Sequence, residues 1–342
     1  MKKIIQKKDI GKLLNAAAGK HKVFAPSGSR EDAVLAEYVP DTPVLLEFTN
    51  FKMSPKGIFL PQSEVVCVLK GDELREVPQS TEPYLVFGIR PCDGRALSNL
   101  DKLFGKFGGA EDPYYMNRRE KSVVISLACA NPHETCFCTT IGGDPADNVG
   151  ADIVAYNLQD TLLMETHTAK GEAFLKEHAS LMSDAEQRHA DAKEQMVKKA
   201  REKLKKIDLT ELKEKLERSF ERDDWDAISK ICLGCGLCTF MCPTCHCFDI
   251  TDEKTRQGGC RIRSWDSCQY PLFTLHASGH NPRPSKKERM RQRILHKFLY
   301  TVENMEEVFC VGCGRCIRCC PVNLDIREVL ARLNKEPAVQ RQ

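Results

Sequence analysis

The sequence predicts an α+β protein in three parts. These are an N-terminal α/β domain over residues 1–160, a charged helical linker over 161–225, and a mainly helical domain over 226–342. Three observations support this division. Apolar, β-prone runs separated by Gly, Pro and Asp fill the first part. The middle turns to Ala, Glu, Lys and Leu with no proline. The last part holds 13 of the chain's 18 cysteines.

Taken in order, "TPVLLEF", "EVVCVLK", "PYLVFGI" and "SVVISLAC" read as strands. "DGRALSNLDKLFGKFGG" has helical spacing at Leu97, Leu100, Leu103 and Phe104, and it ends in glycines as a stopped helix should. In the middle part, "DLTELKEKLERSF" pairs Asp208 with Glu211 as a helix cap. Its apolar stripe is Leu209, Leu212, Leu216 and Phe220, and Glu211 to Lys215 forms an i,i+4 pair. Further on, "ERMRQRILHKFLYTVEN" reads as a helix and "ASGHNPRPSKKER" as a loop.

The chain has 342 residues, 42% apolar and 29% charged, with a formal net charge of +3. So small a charge argues against nucleic acid and against an electrostatic membrane surface. No apolar run approaches the roughly 20 residues that span a bilayer. "MKKIIQKKDIGKLLNAAAGK" lacks the continuous apolar stretch of a signal peptide. Disulfide frameworks belong to small secreted chains, and cysteines two or three residues apart rarely meet disulfide geometry. Metal–thiolate chemistry in a reducing cytoplasm is the expectation.

Two segments share one pattern. Cys232, Cys235, Cys238 and Cys242 precede Pro243; Cys310, Cys313, Cys316 and Cys320 precede Pro321. Both are C-x2-C-x2-C-x3-C-P, the run that wraps a [4Fe–4S] cubane. Three thiolates two residues apart converge on one cube from a single tight loop, and the intervening Gly lets backbone N–H groups approach the sulfides. The fourth Cys serves the other cube in two-cluster ferredoxins. One cube then takes Cys232, Cys235, Cys238 and Cys320, and the other Cys310, Cys313, Cys316 and Cys242. Structural zinc prefers two C-x2-C pairs set well apart, which this is not. The 67 residues between the runs leave room for helices, so an α-helical ferredoxin-like two-cluster domain is expected. Cys319 falls outside the spacing and is expected to bind nothing.

A third set lies in the N-terminal half. "PYLVFGIRPCDGRAL" reads as a strand, a loop with Cys92 and a helix capped by Asp93. "SVVISLACANPHETCFC" presents Cys129 at a strand end, followed by Cys136 and Cys138. Ligands gather outside the carboxyl ends of strands in open α/β sheets. These four cysteines fit a third iron–sulfur cluster, with buried unligated thiols and zinc as the competing readings. Cys245, Cys247, Cys260 and Cys268 read as buried thiols around the clusters, a further metal set being the alternative. Cys67 reads as a core thiol, and His246, His276, His280 and His296 as structural histidines. Arg315, Arg318, Arg261 and Arg263 lie near the cysteine-rich segments, where a cation would favour a reduced cluster. No P-loop, dinucleotide fingerprint or HExxH motif occurs, and no catalytic residue is singled out.

"GIRPCDGRAL", "CFCTTIGG", "CPTCHCFDI", "WDSCQYPLFTLHASGHNPRP", "RQRILHKFLY" and "CVGCGRC" together resemble one family of dicluster [4Fe–4S] electron-transfer subunits. That family includes the beta subunit of cytoplasmic sulfhydrogenases and an iron–sulfur subunit of anaerobic sulfite reductase. It also includes the iron–sulfur subunit of flavin oxidoreductase complexes that feed heterodisulfide reductase. The resemblance runs from about residue 50 to 330. It implies a cytoplasmic protein of anaerobic metabolism, working within a hetero-oligomeric complex. Electrons would pass between a catalytic redox subunit, of hydrogenase, sulfite reductase or heterodisulfide reductase type, and an NAD(P)H-linked flavoprotein subunit. The leading expectation is therefore an electron relay that is not catalytic on its own. The alternative is an enzyme subunit that reduces a sulfur compound directly at an irregular cysteine site, for which Cys245 and Cys247 are the candidates. A third reading has the clusters merely staple the fold.

Overall fold

Strands form in this chain where apolar runs are buried on both faces, and much less where the sequence merely alternates. The computed structural model describes residues 1–70, 73–78, 80, 82–105, 107–255 and 258–335. In chain order the strands are β1 (Lys2–Gln6), β2 (Lys22–Gly28), β3 (Ala33–Glu37), β4 (Ser63–Lys70), β5 (Glu73–Glu76) and β6 (Tyr84–Ile89). They continue with β7 (Val123–Leu127), β8 (Ile153–Asn157), β9 (Thr161–Thr166), β10 (Ser183–Asp184), β11 (Phe248–Thr255) and β12 (Gly258–Trp265). The α-helices begin with α1 (Ile10–Ala18), α2 (Pro91–Phe104), α3 (Pro113–Glu120), α4 (Ala169–Glu177), α5 (Gln187–Glu202) and α6 (Leu212–Glu217). After these come α7 (Asp224–Ser229), α8 (Leu237–Phe240), α9 (Lys286–Leu295), α10 (Thr301–Met305), α11 (Arg315–Arg318) and α12 (Ile326–Leu333). Among the described residues no helix is long and apolar enough to cross a membrane.

The chain divides into two units. The first comprises Met1–Leu60, Gln79–Lys205 and Val311–Cys313. It is built on an eight-stranded sheet in the order β10-β1-β9-β8-β7-β6-β2-β3. β2, β6, β7 and β8 run parallel at its centre, and β3, β9, β1 and β10 complete it antiparallel. "YLVFGI" and "VVISL" are apolar almost without a break because both of their faces are covered. "TPVLLEF", expected as a strand, is irregular instead. α2 begins at Pro91, with Arg90 as its cap residue in place of the expected Asp93.

Residues 161–205, whose composition suggests a helical linker, contribute β9, β10, α4 and α5 to this unit. Val197 on α5 packs with Ile4, Val154, Tyr156 and Leu163 of the sheet. Lys193 adds an ion pair to Glu165 at 2.5 Å.

The second unit comprises Pro61–Pro78, Lys206–Cys310 and Gly314–Gln342. It holds an antiparallel sheet in the order β11-β12-β4-β5. Two of its strands lie between the cysteine runs, where the sequence suggested helices alone. These strands are largely exposed, so they lack the apolar signature that reveals the central strands of the larger sheet. Their lock is an ion pair, Arg263 to Glu64 at 2.5 Å, with both side chains buried.

The helical part of this unit packs α7 against α9 and α6 against α12. Trp225 is fully buried and donates its indole N–H to Ser219 O at 2.6 Å. "ERMRQRILHKFLYTVEN" is one helix whose middle, His296–Tyr300, widens into a π-turn between α9 and α10. α6 starts at Leu212, and Asp208 does not cap it. Asp208 Oδ1 accepts instead from the backbone N–H and the hydroxyl of Thr210, a local turn that competes with helix. The Glu211–Lys215 pair forms at 3.6 Å.

Candidate metal centre

The two cysteine runs adopt the same local backbone. Gly234 and Gly236 have φ of 70° and 76°, and Gly312 and Gly314 have 61° and 73°. Each second glycine is followed at once by a four-residue helix, α8 in the first run and α11 in the second. Such positive φ angles are cheap only for glycine, and they turn the chain tightly enough to aim successive thiols inward.

In the second unit, Cys232, Cys235 and Cys238 line one cavity together with Cys316 and Cys320. Leu233, Met290, Ile294, Val322, Leu324 and Ile326 supply its apolar wall. Two backbone donors point at its sulfurs: Gly234 N–H to Cys232 Sγ at 3.4 Å and Leu324 N–H to Cys320 Sγ at 3.2 Å. Burial pushes the Cys238 thiol up, opposed by the Arg293 guanidinium. Cys319 does not line this cavity, and burial pushes its thiol up to about 11.

The other four run cysteines occupy separate settings. Cys316 belongs to the cavity just described, and Cys313 to the first unit. Cys242 Sγ lies 3.3 Å from Lys297 Nζ, and Cys310 contributes to the electrostatic surroundings of the same lysine. A hydrogen bond from the Cys245 thiol, with Lys297 and Arg293 close by, holds Cys242 well below the usual thiol range.

A second cavity of this unit is lined by Cys245, Cys247 and Cys268 with His246, His296, Arg293 and Lys297. Cys260 is absent from it; it sits in β12, in register with Val68 and Glu253. Burial brings His296 down to about 4, keeping its imidazole neutral.

In the first unit, β6 ends at Ile89 and β7 at Leu127, so Cys92 and Cys129 both fall just past the carboxyl ends of adjacent parallel strands. Cys92 sits in the first turn of α2. Cys92, Cys129, Cys136 and Cys138 line one cavity, and Cys313 joins them. Phe137 N–H donates to Gly312 O at 2.8 Å, and Asn50 Nδ2 to Cys313 O at 3.0 Å. Burial pushes Cys129 up and Cys138 up to about 12, so these thiols would ionise only on binding a metal.

Arg90, itself buried, ties the loops around that cavity together. It donates to the carbonyls of Phe48, Thr49, Leu127 and Ala128 and stacks 4.0 Å from the Phe48 ring.

Among the described residues no three His, Cys, Asp or Glu side chains gather tightly enough to chelate a single metal ion. A cubane makes a different demand. Each thiolate takes its own corner iron, so the ligands ring a cavity, as Cys232, Cys235, Cys238 and Cys320 do. The N–H donors at two of these sulfurs fit the same group.

Sequence reasoning overlooked the cations that matter. Arg261 and Arg263 are engaged by Asp252 and Glu64. The buried ones are Arg289, Arg293 and Lys297, spaced four residues apart along "RMRQRILHK". Charged residues recurring on one helical face beside a cysteine motif were the available signal.

The model of a 4Fe-4S dicluster domain matches residues 231–324. The chain is 33% identical over 287 residues to sulfhydrogenase 2 subunit beta of Pyrococcus furiosus, covering 83% of this chain and 84% of that one. Motif, local backbone and likeness agree: the chain belongs to the family of 4Fe–4S dicluster iron–sulfur subunits that includes sulfhydrogenase 2 subunit beta.

Proposed function

We propose that this chain is the electron-relay subunit of a cytoplasmic, hetero-oligomeric oxidoreductase of anaerobic metabolism. One [4Fe–4S] cube is held by Cys232, Cys235, Cys238 and Cys320, and the other by Cys310, Cys313, Cys316 and Cys242. A third iron–sulfur cluster is held by Cys92, Cys129, Cys136 and Cys138. The observation that carries the reading is the cavity where three thiols of the first run meet Cys320 of the second. When bound, the clusters supply one-electron chemistry. The chain's own residues supply thiolates, N–H donors to sulfur and buried cations. Its partners in this reading are a catalytic subunit, of hydrogenase, sulfite reductase or heterodisulfide reductase type, and an NAD(P)H-linked flavoprotein subunit. The likeness to a sulfhydrogenase beta subunit supports the first of these types.

Iron and acid-labile sulfide analysis of the anaerobically purified chain is the test, followed by redox titration monitored by EPR. About twelve irons per chain supports all three clusters, and about eight removes the N-terminal one. Fewer than about eight, or clusters that no physiological donor reduces, overturns the relay.

A further inference from the structure

Cys245, Cys247 and Cys268 stand outside the ferredoxin spacing, yet they line one cavity of the second unit. A small apolar packing role for these thiols calls for apolar neighbours. The wall here is Thr244, His246, Arg293, His296 and Lys297, with Phe309. Arg293 Nη1 lies 3.7 Å from Cys245 Sγ, and Gln269 Nε2 lies 3.5 Å from Cys268 Sγ. These are donors aimed at sulfur, the same kind of contact found at Cys232 and Cys320.

Charge sharpens the point. Arg293 and Lys297 are each 5% exposed. Among the described residues neither is ion-paired with a carboxylate; their partners are thiols, a hydroxyl and backbone carbonyls. Two buried cations need anionic compensation, and neutral thiols do not provide it. Thiolates bound to an iron–sulfur core do, because the ligated assembly is anionic.

We propose that Cys245, Cys247 and Cys268 bind an additional iron–sulfur cluster in the cavity they line. The fourth iron takes a non-cysteine ligand, for which His246 and His296 are the imidazoles of the wall. Cys260, on β12, takes no part. The inference rests on the iron–sulfur reading of the chain and is independent of the N-terminal set.

The test uses the full chain reconstituted anaerobically with ferrous iron and sulfide. Cys247→Ser and Cys268→Ser are each expected to lose about four irons and four sulfides relative to the native sequence, while Cys260→Ser loses none. Unchanged iron in both variants overturns the inference and leaves the two-run reading intact. Loss of the EPR signals of the two ferredoxin-type cubes from the native chain would instead sink that reading.

Should the serine variants fail to fold, a Cys92→Ser/Cys138→Ser background removes the N-terminal set without touching the second unit. Native mass spectrometry of that chain then finds three clusters if the inference holds, and two if it does not.

Discussion

Lys297 Nζ lies 3.3 Å from Cys242 Sγ, and it also reaches Thr244 Oγ1 at 3.0 Å and Phe309 O at 2.8 Å. The π-turn over His296–Tyr300 places this lysine, and its side chain is almost completely buried. Burial works against the ammonium, but the neighbouring Cys242 and Cys245 sulfurs hold its proton more firmly than in an ordinary lysine. A π-turn inside an α-helix commonly marks a functional position, since it moves one side chain out of the regular row.

A fixed cation at a ligand sulfur favours the reduced, more negative form of the cluster. Replacing it by Lys297→Met removes a charged hydrogen bond of about 1–2 kcal/mol, or about 40–90 mV for a one-electron couple. The potential of the cube that uses Cys242 is expected to fall by that amount in an EPR-monitored titration, and Lys297→Arg to restore most of it. An unchanged potential would show that the lysine serves packing alone.

Gly312 is needed for space as well as for its φ. A Cβ there would meet Cys138 N at 2.5 Å and Cys138 Cα at 2.6 Å, both backbone atoms that cannot swing aside. Gly312→Ala is expected to cost roughly 2–4 kcal/mol and to lower the iron content of the N-terminal set. Gly142 has a similar φ of 76° but open space around it. Gly142→Ala should cost only about 1 kcal/mol. Equal losses in thermal denaturation would refute the close-approach argument.

Arg90 serves four carbonyls with one planar guanidinium. Lysine offers three donors from a single point, so Arg90→Lys leaves at least one buried carbonyl unmet. A loss of about 1–3 kcal/mol is expected in chemical denaturation, with weakened cluster retention at Cys92 and Cys129. Wild-type stability in the variant would mean that other groups or water satisfy those carbonyls.

Asp224 joins α7 to α12 by accepting from Arg332 at 2.6 Å and from Arg222 at 2.7 Å. Partial burial raises its pKa, but the two guanidiniums prevail and hold it below the usual carboxylate range. A folded value below the unfolded value of about 4 means the contribution is present above pH 4 and lost as pH falls through the folded value. Asp224→Asn should remove about 1 kcal/mol at neutral pH and flatten the acid limb of the stability curve. Parallel acid limbs for the two proteins would exclude this role.

Stripping iron with a chelator under mild oxidation is expected to melt the segments around both cysteine runs. α8 and α11 have four residues each, far too short to persist without tertiary support. Hydrogen exchange should accelerate there while β6, β7 and β8 keep their protection. Uniform protection after iron removal would make the clusters incidental to the fold.

The cysteine runs were legible because their chemistry is local. Three ligands within seven residues, two glycines at positive φ and a closing proline can be read without knowing any distant partner. The central strands β6 and β7 and helix α2 were legible for a related reason, since burial on both faces or one face leaves an unbroken or periodic apolar pattern. β11 and β12 left no such trace because they are mostly exposed. α5 was misread for the opposite reason: only a narrow apolar edge, with Val197 and Ala200, docks on the sheet, and the charged remainder dominates its composition.

What the sequence determined by itself was that this is an iron–sulfur protein with two ferredoxin-type runs, since ligand type and spacing are properties of the chain. The tertiary structure decided which distant thiols share a cavity. It drew Cys320 to the first run, gathered Cys92, Cys129, Cys136 and Cys138 beyond two strand ends, and separated Cys260 from Cys245, Cys247 and Cys268. It also turned the cations of one helix inward to face sulfur. Those facts rest on long-range packing, in which a residue's neighbours are set by how sheets and helices bury their apolar faces, and no short window of sequence contains that information.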